Sequence, residues 1–238
     1  MTNGWNESAE AWITDIGDAG GFGRKYVLDR PMLERVTGRG FTSALDVGCG
    51  EGRFCRMLRE RGIAPVGIDP TAALLKVARQ RDPEGDYRFG LAEKLEFADA
   101  SFDLVVSYLT LIDIADMDAA IPEMARVLKP GGTLLVANLA SFNTASQPFG
   151  WKTGPDGQMY FAIDRYMTDR ADWMQWRGIR IRNWHRPLSR YMTLFLGQGL
   201  ELKSFLEPMP SAEADPAARE RHHRVPYFVL MEWRKPAA

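Results

Sequence analysis

The chain has 238 residues, and 45% of them are hydrophobic, which is enough to bury the core of one domain with or without a smaller lid. Its 30 basic and 31 acidic residues give a net charge of −1 with no long run of either sign, which disfavours nucleic acid as a partner. No apolar stretch reaches the roughly 20 residues of a membrane-spanning helix, and the first residues lack a signal-peptide pattern. Two cysteines, Cys49 and Cys55, are too few for a disulfide framework. We therefore expect a cytoplasmic protein with no membrane partner.

Short apolar runs alternate with helical patterns up to Leu139. The predicted strands are Ser43 to Val47, "APVGID", "YRFGLAE", "SFDLVVSYL" and "TLLVANL". The predicted helices between them are "EGRFCRMLRERG", "TAALLKVARQR" and "MDAAIPEMARVLKPGG". Strands that alternate with helices predict a parallel, doubly wound sheet.

The alternation stops at Ala140 and resumes after Trp184. The segment between them is rich in aromatic residues and glycines and has no clean period, so we interpret it as a lid inserted into the fold. After it, "PLSRYMTLFLGQG" predicts a helix, and "LELKSFLEP" and "PYFVLMEWR" predict two antiparallel strands. The residues joining these strands predict a polar loop that leaves His222 and His223 on a solvated surface.

Glycines follow the first predicted strand at every second position. Gly48, Gly50 and Gly52 lie between a strand and a helix, where the missing side chains let the backbone turn tightly and let a ligand approach it. Asp46 ends the first strand, and Asp69 ends the second, where a carboxylate can accept both hydroxyls of a ribose. The spacing G-x-G-x-G differs from the G-x-G-x-x-G of dinucleotide sites, so it favours a nucleoside without phosphates.

An ordered set of motifs now resembles a known family. The chain contains "LDVGCGEG", "VGID", "GLAEKLEFADASFDLVVSYLTLIDIAD" and "ARVLKPGGTLLVANL" in this order, and together they resemble the class I S-adenosylmethionine-dependent methyltransferases, in their type 11, small-molecule branch. The resemblance implies S-adenosyl-L-methionine as cofactor, S-adenosyl-L-homocysteine as product, no metal, and in-line transfer of a methyl group to an N or O atom of a small metabolite. Two alternatives stay open: a non-catalytic S-adenosylmethionine-binding or scaffold protein, and an NAD-dependent Rossmann oxidoreductase, which the glycine spacing disfavours.

The same resemblance implies an α/β, Rossmann-like, doubly wound sheet of seven strands, mostly parallel, with the last strand antiparallel and the aromatic lid after the fifth. Four regions follow from it: cofactor-covering helices in residues 1–40, a cofactor-binding core in 41–139, the substrate lid in 140–184, and the completion of the core in 185–238. The expected partner is a small-molecule acceptor, with no nucleic acid, and the chain is expected to be a monomer or a homodimer.

The resemblance also assigns residues to each part of the cofactor. They are Asp46, Gly48, Cys49, Gly50 and Gly52 for the amino-acid moiety, Asp69 for the ribose, Pro70, Ala92 and Glu93 for the adenine, and Ser107 with Tyr108 for the methionyl side. Structural alternatives exist for several of them. Asp46 and Asp69 are also suited to capping, Glu93 to an exposed loop, and Cys49 to filling an apolar gap.

Three residues are candidates for catalysis. His185, in "NWHRP", is suited to act as a general base near neutral pH, with Arg186 beside it to anchor an acceptor carboxylate, although a hydrogen-bonded structural histidine is an equally good interpretation. Asp113 stands where methyltransferases of this group often have histidine, and it would orient an amine or hydroxyl or cap a turn. Tyr108 is the third candidate.

Aromatic residues of the lid are the candidates for the acceptor site. Trp151, Tyr160 and Trp176 would enclose a planar or cationic acceptor, unless they pack the lid onto the sheet. In the leader, Arg24 would reach the carboxylate of the cofactor or decorate a surface helix.

Overall fold

The structure, a computed structural model, describes residues 3–147 and 150–237. Its strands in chain order are β1 (Ser43–Val47), β2 (Ala64–Asp69), β3 (Asp86–Phe89), β4 (Phe102–Tyr108), β5 (Leu128–Leu139), β6 (Gly150–Thr153), β7 (Met159–Ala162), β8 (Arg170–Trp176), β9 (Ile179–His185), β10 (Glu201–Leu206) and β11 (Phe228–Arg234). Its helices are α1 (Trp5–Ile16), α2 (Asp29–Glu34), α3 (Arg53–Arg59), α4 (Ala72–Arg81), α5 (Met117–Val127), α6 (Ser141–Ala145), α7 (Leu188–Gly197) and α8 (Pro216–Arg224), and a π-helical segment (Gly23–Leu28) precedes α2. The predicted terminal regions include residues 1, 2 and 238, and the predicted lid includes residues 148 and 149; these five lie outside the described residues.

The central sheet has the strand order β10-β11-β5-β4-β1-β2-β3. β1 pairs in parallel with β2 and β4, and β4 pairs in parallel with β5. β11 lies between β5 and β10 and is antiparallel to both. The prediction of a seven-stranded, mostly parallel sheet with an antiparallel last strand is confirmed.

Apolar side chains alternate between the two faces of this sheet and hold helices on each face. On β5, Leu134 and Val136 pack in a core with residues of α5 and α7, whereas Leu135 and Ala137 pack in a second core with residues of α2 and α3. Alternate side chains of a strand point to opposite faces, and burial of this apolar surface is the main favourable contribution to folding. Because β1 to β5 pair in parallel, their carboxyl ends meet at one edge of the sheet.

The segment between β5 and α7 forms separate structures outside the central sheet. It contains α6 and two antiparallel hairpins, β6 with β7 and β8 with β9. The sequence showed no clean period here because both strands of the first hairpin are largely exposed and carry little apolar alternation. These hairpins were not predicted.

Helix α1 packs between the second hairpin and the core. Ala9 and Trp12 form an apolar cluster with Leu74 of α4 and with Ile179 and Ile181 of β9. The hydroxyl of Ser8 donates to the carbonyl oxygen of Arg180 at 3.0 Å and accepts from its N–H at 2.9 Å. The leader and the second hairpin therefore form one continuous cover over the edge of the sheet.

The polar loop predicted between the last two strands is wrong, because α8 forms there. Asp215 precedes the helix and its Oδ2 accepts the N–H of Ala218 at 2.9 Å, while Pro216 supplies a backbone angle that suits a first helical position. His222 is buried, and its ring stacks on that of Tyr227 with 4.2 Å between centroids, so the predicted solvated surface is also wrong for this histidine. An Asp-Pro pair ahead of an alanine-containing run was the available signal for the helix start.

Candidate active site

A cavity of about 440 Å³ opens at the carboxyl ends of β1, β2 and β4. Helix α1 and strand β9 cover it, since Trp5, Trp12 and Trp184 contribute to its wall. It brings together most of the residues that the sequence assigns to the cofactor, namely Asp46, Gly48, Cys49, Gly50, Asp69, Pro70, Ala92 and Glu93. Of the described residues with that assignment, Gly52 and Ser107 do not line it.

The glycine loop forms the floor of the cavity. Gly48, with φ 77°, donates its N–H to the carbonyl oxygen of Ile68 at 2.8 Å, and a Cβ at this position would collide with the side chain of Thr110. Gly52 lies outside the wall but is equally constrained, with φ 76° and a Cβ position 2.6 Å from the ring of Tyr87. A side chain at either position would displace the loop, so glycine is required there.

Asp69 joins the glycine loop to the end of β2. Its Oδ2 accepts the N–H of Gly50 at 2.9 Å, and its Oδ1 accepts the N–H of Thr71 at 2.8 Å. Burial raises the pKa of this carboxyl, and the two backbone donors oppose that effect. An ionised carboxylate has about four lone-pair sites, so Asp69 retains capacity to accept a further hydrogen bond from a ligand.

Asp46 is the buried carboxyl of the cavity floor, with 1% of its surface exposed. The Sγ of Cys55 donates to its Oδ2 at 3.5 Å, whereas its Oδ1 has no hydrogen-bond partner among the described residues. Burial raises the pKa of Asp46 to about 7. A buried carboxylate oxygen without a partner is costly, so this atom fits a ligand that brings a cationic donor.

Comparisons with known proteins agree with this geometry. Residues 45–136 match the protein family described as methyltransferase domain. The structure of an S-adenosylmethionine-dependent methyltransferase from Mesorhizobium loti is 26% identical in sequence to this chain, with a TM-score of 0.76, and the match covers 86% of this chain and 96% of that one. Residues 45–136 thus match a methyltransferase domain, and the chain is similar in fold to an S-adenosylmethionine-dependent methyltransferase.

Curated relatives match a shorter part of this chain. The malonyl-[acyl-carrier protein] O-methyltransferase of Serratia marcescens is 36% identical over 138 residues, which are 56% of this chain and 54% of that protein. The demethylmenaquinone methyltransferase of Renibacterium salmoninarum is 38% identical over 96 residues, which are 40% of each chain. The chain thus spans about half the length, or less, of the curated relatives it matches.

Tyr108 lines the cavity, but its hydroxyl already forms a hydrogen bond within the protein. It donates to Oδ1 of Asp29 at 2.8 Å, and Asp29 is paired with Arg53 at 2.5 Å. Burial and the negative charge of Asp29 raise the pKa of Tyr108 above its ordinary value. Its hydroxyl therefore remains protonated and is poorly suited to act as a base.

Arg24 of the leader, which the sequence predicted either to reach the carboxylate of the cofactor or to decorate a surface helix, lines the cavity. Its guanidinium lies over the ring of Trp12 at 5.4 Å and over the ring of Tyr108 at 5.6 Å from the centroids. Burial lowers its pKa, but an arginine stays protonated at neutral pH. It is one of three arginines in a wall that also carries several carboxyl groups.

Asp113 lies where the loop after β4 meets the leader and the second hairpin. Asn183 of β9 donates from Nδ2 to Oδ1 of Asp113 at 2.7 Å, and Trp5 of α1 also forms a hydrogen bond with this carboxyl. Burial raises the pKa of Asp113 to about 7, and Asp69 adds to the effect, although the hydrogen bonds from Trp5 and Asn183 oppose it. Asp113 is thus the candidate catalytic residue that combines a place in the cavity with a pKa near neutral.

His185 lies outside the cavity wall and is enclosed by its own partners. It is 1% exposed; its Nε2 lies 2.9 Å from the carbonyl oxygen of Tyr166, and its Nδ1 lies 2.7 Å from the hydroxyl of Thr144. Because a carbonyl only accepts, Nε2 carries the proton and Nδ1 accepts from the threonine. This geometry favours the structural interpretation of His185, since a role as base would require it to lose the bond to Thr144.

Arg186 is buried and faces the protein interior. Its guanidinium donates to the carbonyl oxygens of Leu111, Ile114 and Ala115 at 3.3, 2.8 and 2.9 Å. It also lies over the ring of Trp184 at 4.7 Å. The N–H groups of Arg186 therefore bind the loop that carries Asp113. To anchor an acceptor carboxylate, Arg186 would have to give up these hydrogen bonds.

The three lid aromatics proposed for the acceptor lie outside the cavity wall. Trp151 donates from Nε1 to the hydroxyl of Tyr227 at 2.7 Å, and Trp176 donates to Asp15 at 3.2 Å. Tyr160 is 51% exposed. The tryptophans that do face the cavity come from α1 and the end of β9, and no periodicity of the sequence distinguishes them from the others.

Ser107 points into the opposite side of the sheet from Tyr108, as alternation along β4 requires. It is fully buried, and its Oγ has no hydrogen-bond partner among the described residues.

Within the described residues, no helix combines the length and apolar character needed to cross a membrane. The same residues contain no group of three or more His, Cys, Asp or Glu side chains placed to hold a metal ion.

Proposed function

We propose that this chain transfers a methyl group from S-adenosyl-L-methionine to an N or O atom of a small-molecule acceptor. The observation that carries the proposal is the cavity in which the unpartnered Oδ1 of Asp46, the glycine loop and Asp69 meet. A ligand with a cationic amino group and two vicinal hydroxyls complements these groups. The matched family and the named activities of the chain's relatives support the same proposal.

Each part of the cofactor has residues suited to hold it. Asp46 and the loop from Gly48 to Gly52 would receive the amino-acid moiety, Asp69 the ribose hydroxyls, and the residues from Pro70 and Ala92 to Glu93 the adenine. When bound, the cofactor supplies an electrophilic methyl group on a positively charged sulfur. The protein contributes orientation of the acceptor and exclusion of water, which account for much of the rate in such a transfer.

Asp113 is the residue we propose for handling the acceptor's proton. It lies in the cavity wall beside Trp5, and its carboxyl can accept a hydrogen bond from an N–H or O–H of the acceptor. A pKa of about 7 lets it take up that proton at neutral pH. Trp5, Trp12 and Trp184 offer flat apolar surfaces on which a ring would stack.

The names of the relatives suggest two forms of acceptor. The Renibacterium protein is named for demethylmenaquinone, and the Serratia protein is named for a malonyl group on an acyl-carrier protein. We propose a free small molecule, because α1 and β9 cover the cavity and an enclosed site favours an acceptor that it can surround. Methyl transfer to a carrier-bound compound, and not to a free one, would contradict this part of the proposal.

Calorimetry followed by an assay tests the proposal. S-adenosylmethionine and S-adenosylhomocysteine should bind, whereas NAD should not, and a radiolabelled methyl group should move to a free metabolite in a panel of phenols, amines and carboxylic acids. Binding of NAD in preference to either nucleoside would overturn the cofactor assignment. Tight cofactor binding without transfer to any free or carrier-bound compound would instead support the non-catalytic alternative.

A further inference from the structure

The cavity floor holds an acidic cluster in which one oxygen lacks a partner. Asp46, Glu51 and Asp69 all line the cavity and all are buried. Glu51 is paired, because its Oε2 accepts from Arg56 at 2.7 Å and from Arg81 at 2.9 Å. Asp69 accepts hydrogen bonds from two backbone N–H groups. Asp46, whose Oδ1 has no partner, is therefore the carboxyl of this cluster whose negative charge is least stabilised by the protein.

Charged and titratable groups face Asp46 from several elements. Burial is the main reason for its raised pKa; Asp69 of β2 and Glu51 of the glycine loop raise it further. The thiol of Cys55 on α3 and the guanidinium of Arg24 in the leader lower it. Cys49 also lies near. The hydrogen bond with Cys55 lowers the pKa of its thiol, but burial and the charges of Asp46 and Asp69 together raise it, so the thiol stays protonated and adds no charge at neutral pH. With a pKa of about 7, Asp46 carries a proton in about half of the ligand-free molecules at that pH.

A cationic ligand changes this balance. An ammonium group at Oδ1 would favour the ionised form of Asp46, because it supplies both an opposite charge and a hydrogen bond. We infer that binding of the cofactor in this cavity releases the proton of Asp46, so that cofactor affinity rises as the pH increases through neutrality. This inference rests on the proposed function, since it concerns the same cavity and ligand.

The sign of the effect follows from linkage between proton and ligand. Below the pKa of Asp46, the ligand must displace a proton, and its affinity falls by up to tenfold for each pH unit. Above the pKa there is no proton to displace, and the affinity becomes constant. For one group with a pKa near 7, the dissociation constant should fall about tenfold between pH 6 and pH 8.

Calorimetry with S-adenosylhomocysteine measures the released proton directly. At pH 7 the titration is run in two buffers with different heats of ionisation, such as phosphate and Tris, and the difference in heat gives the number of protons released. The wild-type protein should release roughly half a proton from Asp46, and Asp46→Asn should lose this release together with the pH dependence of the affinity. 5′-Methylthioadenosine, which lacks the amino-acid moiety, should release little in the wild-type protein.

Asp113→Asn is the matched variant, because Asp113 is a second carboxyl of the same cavity with a pKa of about 7. It should retain the part of the proton release that Asp46→Asn loses. Equal heats in both buffers for the wild type, or a release that Asp113→Asn removes and Asp46→Asn keeps, would overturn the inference.

A carbonyl ¹³C NMR titration of the wild-type protein covers the case in which Asp46→Asn fails to fold. The Asp46 carboxyl should titrate near pH 7 without ligand and well below pH 7 with S-adenosylhomocysteine bound, and an unchanged titration would also overturn the inference. Failure of S-adenosylhomocysteine to bind at any pH would contradict the proposed function itself. Binding without proton release would contradict only the inference about Asp46.

Discussion

Arg186 donates a hydrogen bond to the carbonyl oxygen of Ile114 at 2.8 Å and thereby ties the end of β9 to the loop after β4. That loop carries Asp113, and Asp113 accepts from Asn183, which lies three positions before Arg186 in the chain. The core of the sheet and the cover of the cavity are thus joined by a buried cation and its carbonyl partners. Any change at this junction should affect both the stability of the fold and the position of Asp113.

Arg186→Ala should lower the free energy of unfolding by about 2–4 kcal/mol, because it leaves the buried carbonyl oxygens of Leu111, Ile114 and Ala115 without their donor. Urea unfolding followed by circular dichroism measures the loss. Arg190→Ala on α7 is the control, since Arg190 is partly exposed and its pairing with Asp118 should contribute less than about 1 kcal/mol. Equal losses in the two variants would contradict the role of Arg186 at the junction.

Asp103 should make a pH-dependent contribution to stability at the opposite end of the sheet. Its Oδ2 accepts from the N–H groups of Thr42 and Ser43, each at 3.0 Å, and Lys129 donates to Oδ1 at 2.7 Å. Burial alone would raise its pKa, but Lys129 and these donors hold the pKa below its ordinary value. Asp103→Asn should therefore lose about 1–3 kcal/mol at neutral pH.

The sign of this pH dependence is fixed by the lowered pKa of Asp103. Its contribution is present above the pKa of the unfolded chain, near 4, and is lost as the pH falls through the lower pKa of the folded state. Urea unfolding at several pH values should show the wild type and Asp103→Asn converging at acid pH. Asp99→Asn, at a mostly exposed carboxylate, should differ little from the wild type at neutral pH.

The sequence predicted the sheet and the cavity floor because local chemistry specifies them. Gly48 and Gly52 need positive φ angles, and Asp69 must follow a buried strand, so residue type and position coincide there. These features depend on neighbours within a few positions. The sheet and the cavity floor could therefore be predicted from the sequence without knowledge of the tertiary fold.

The cover of the cavity could not be predicted in the same way. Trp151 and Trp184 both lie in an aromatic segment, yet one bonds to Tyr227 at the far side and the other faces the cavity. Which ring faces inward depends on the docking of β9 against α1, through contacts between residues far apart in sequence. His185 shows the same limit, since its partners Thr144 and Tyr166 are distant in the chain.

Asp69→Asn should weaken the binding of S-adenosylhomocysteine by about 1–3 kcal/mol, because the neutral amide loses charge-assisted hydrogen bonds to Gly50 and to the ligand. Isothermal calorimetry at pH 8, where Asp46 is mostly ionised, separates this effect from proton release. Asp86→Asn on β3 is a suitable control, as its carboxylate is exposed and pairs with Arg88. Unchanged affinity in Asp69→Asn would remove Asp69 from the cofactor site.

His185→Ala separates the two interpretations of His185. The structure leads us to expect a loss of about 1–3 kcal/mol in the free energy of unfolding, since Thr144 and the carbonyl of Tyr166 lose a buried partner, while the affinity for S-adenosylhomocysteine stays near that of the wild type.

Burial lowers the pKa of His185, so the unfolded chain takes up its proton first as the pH falls. The stability of the wild type should therefore decline below about pH 6.5, and His185→Ala should lose less over the same range. Unfolding measured between pH 5 and pH 8 tests this difference. If His185→Ala instead folds but its turnover falls by roughly 10²-fold or more at saturating acceptor, His185 takes part in the chemistry. In that case the hydrogen bond between Nδ1 and Thr144 must open when the acceptor binds.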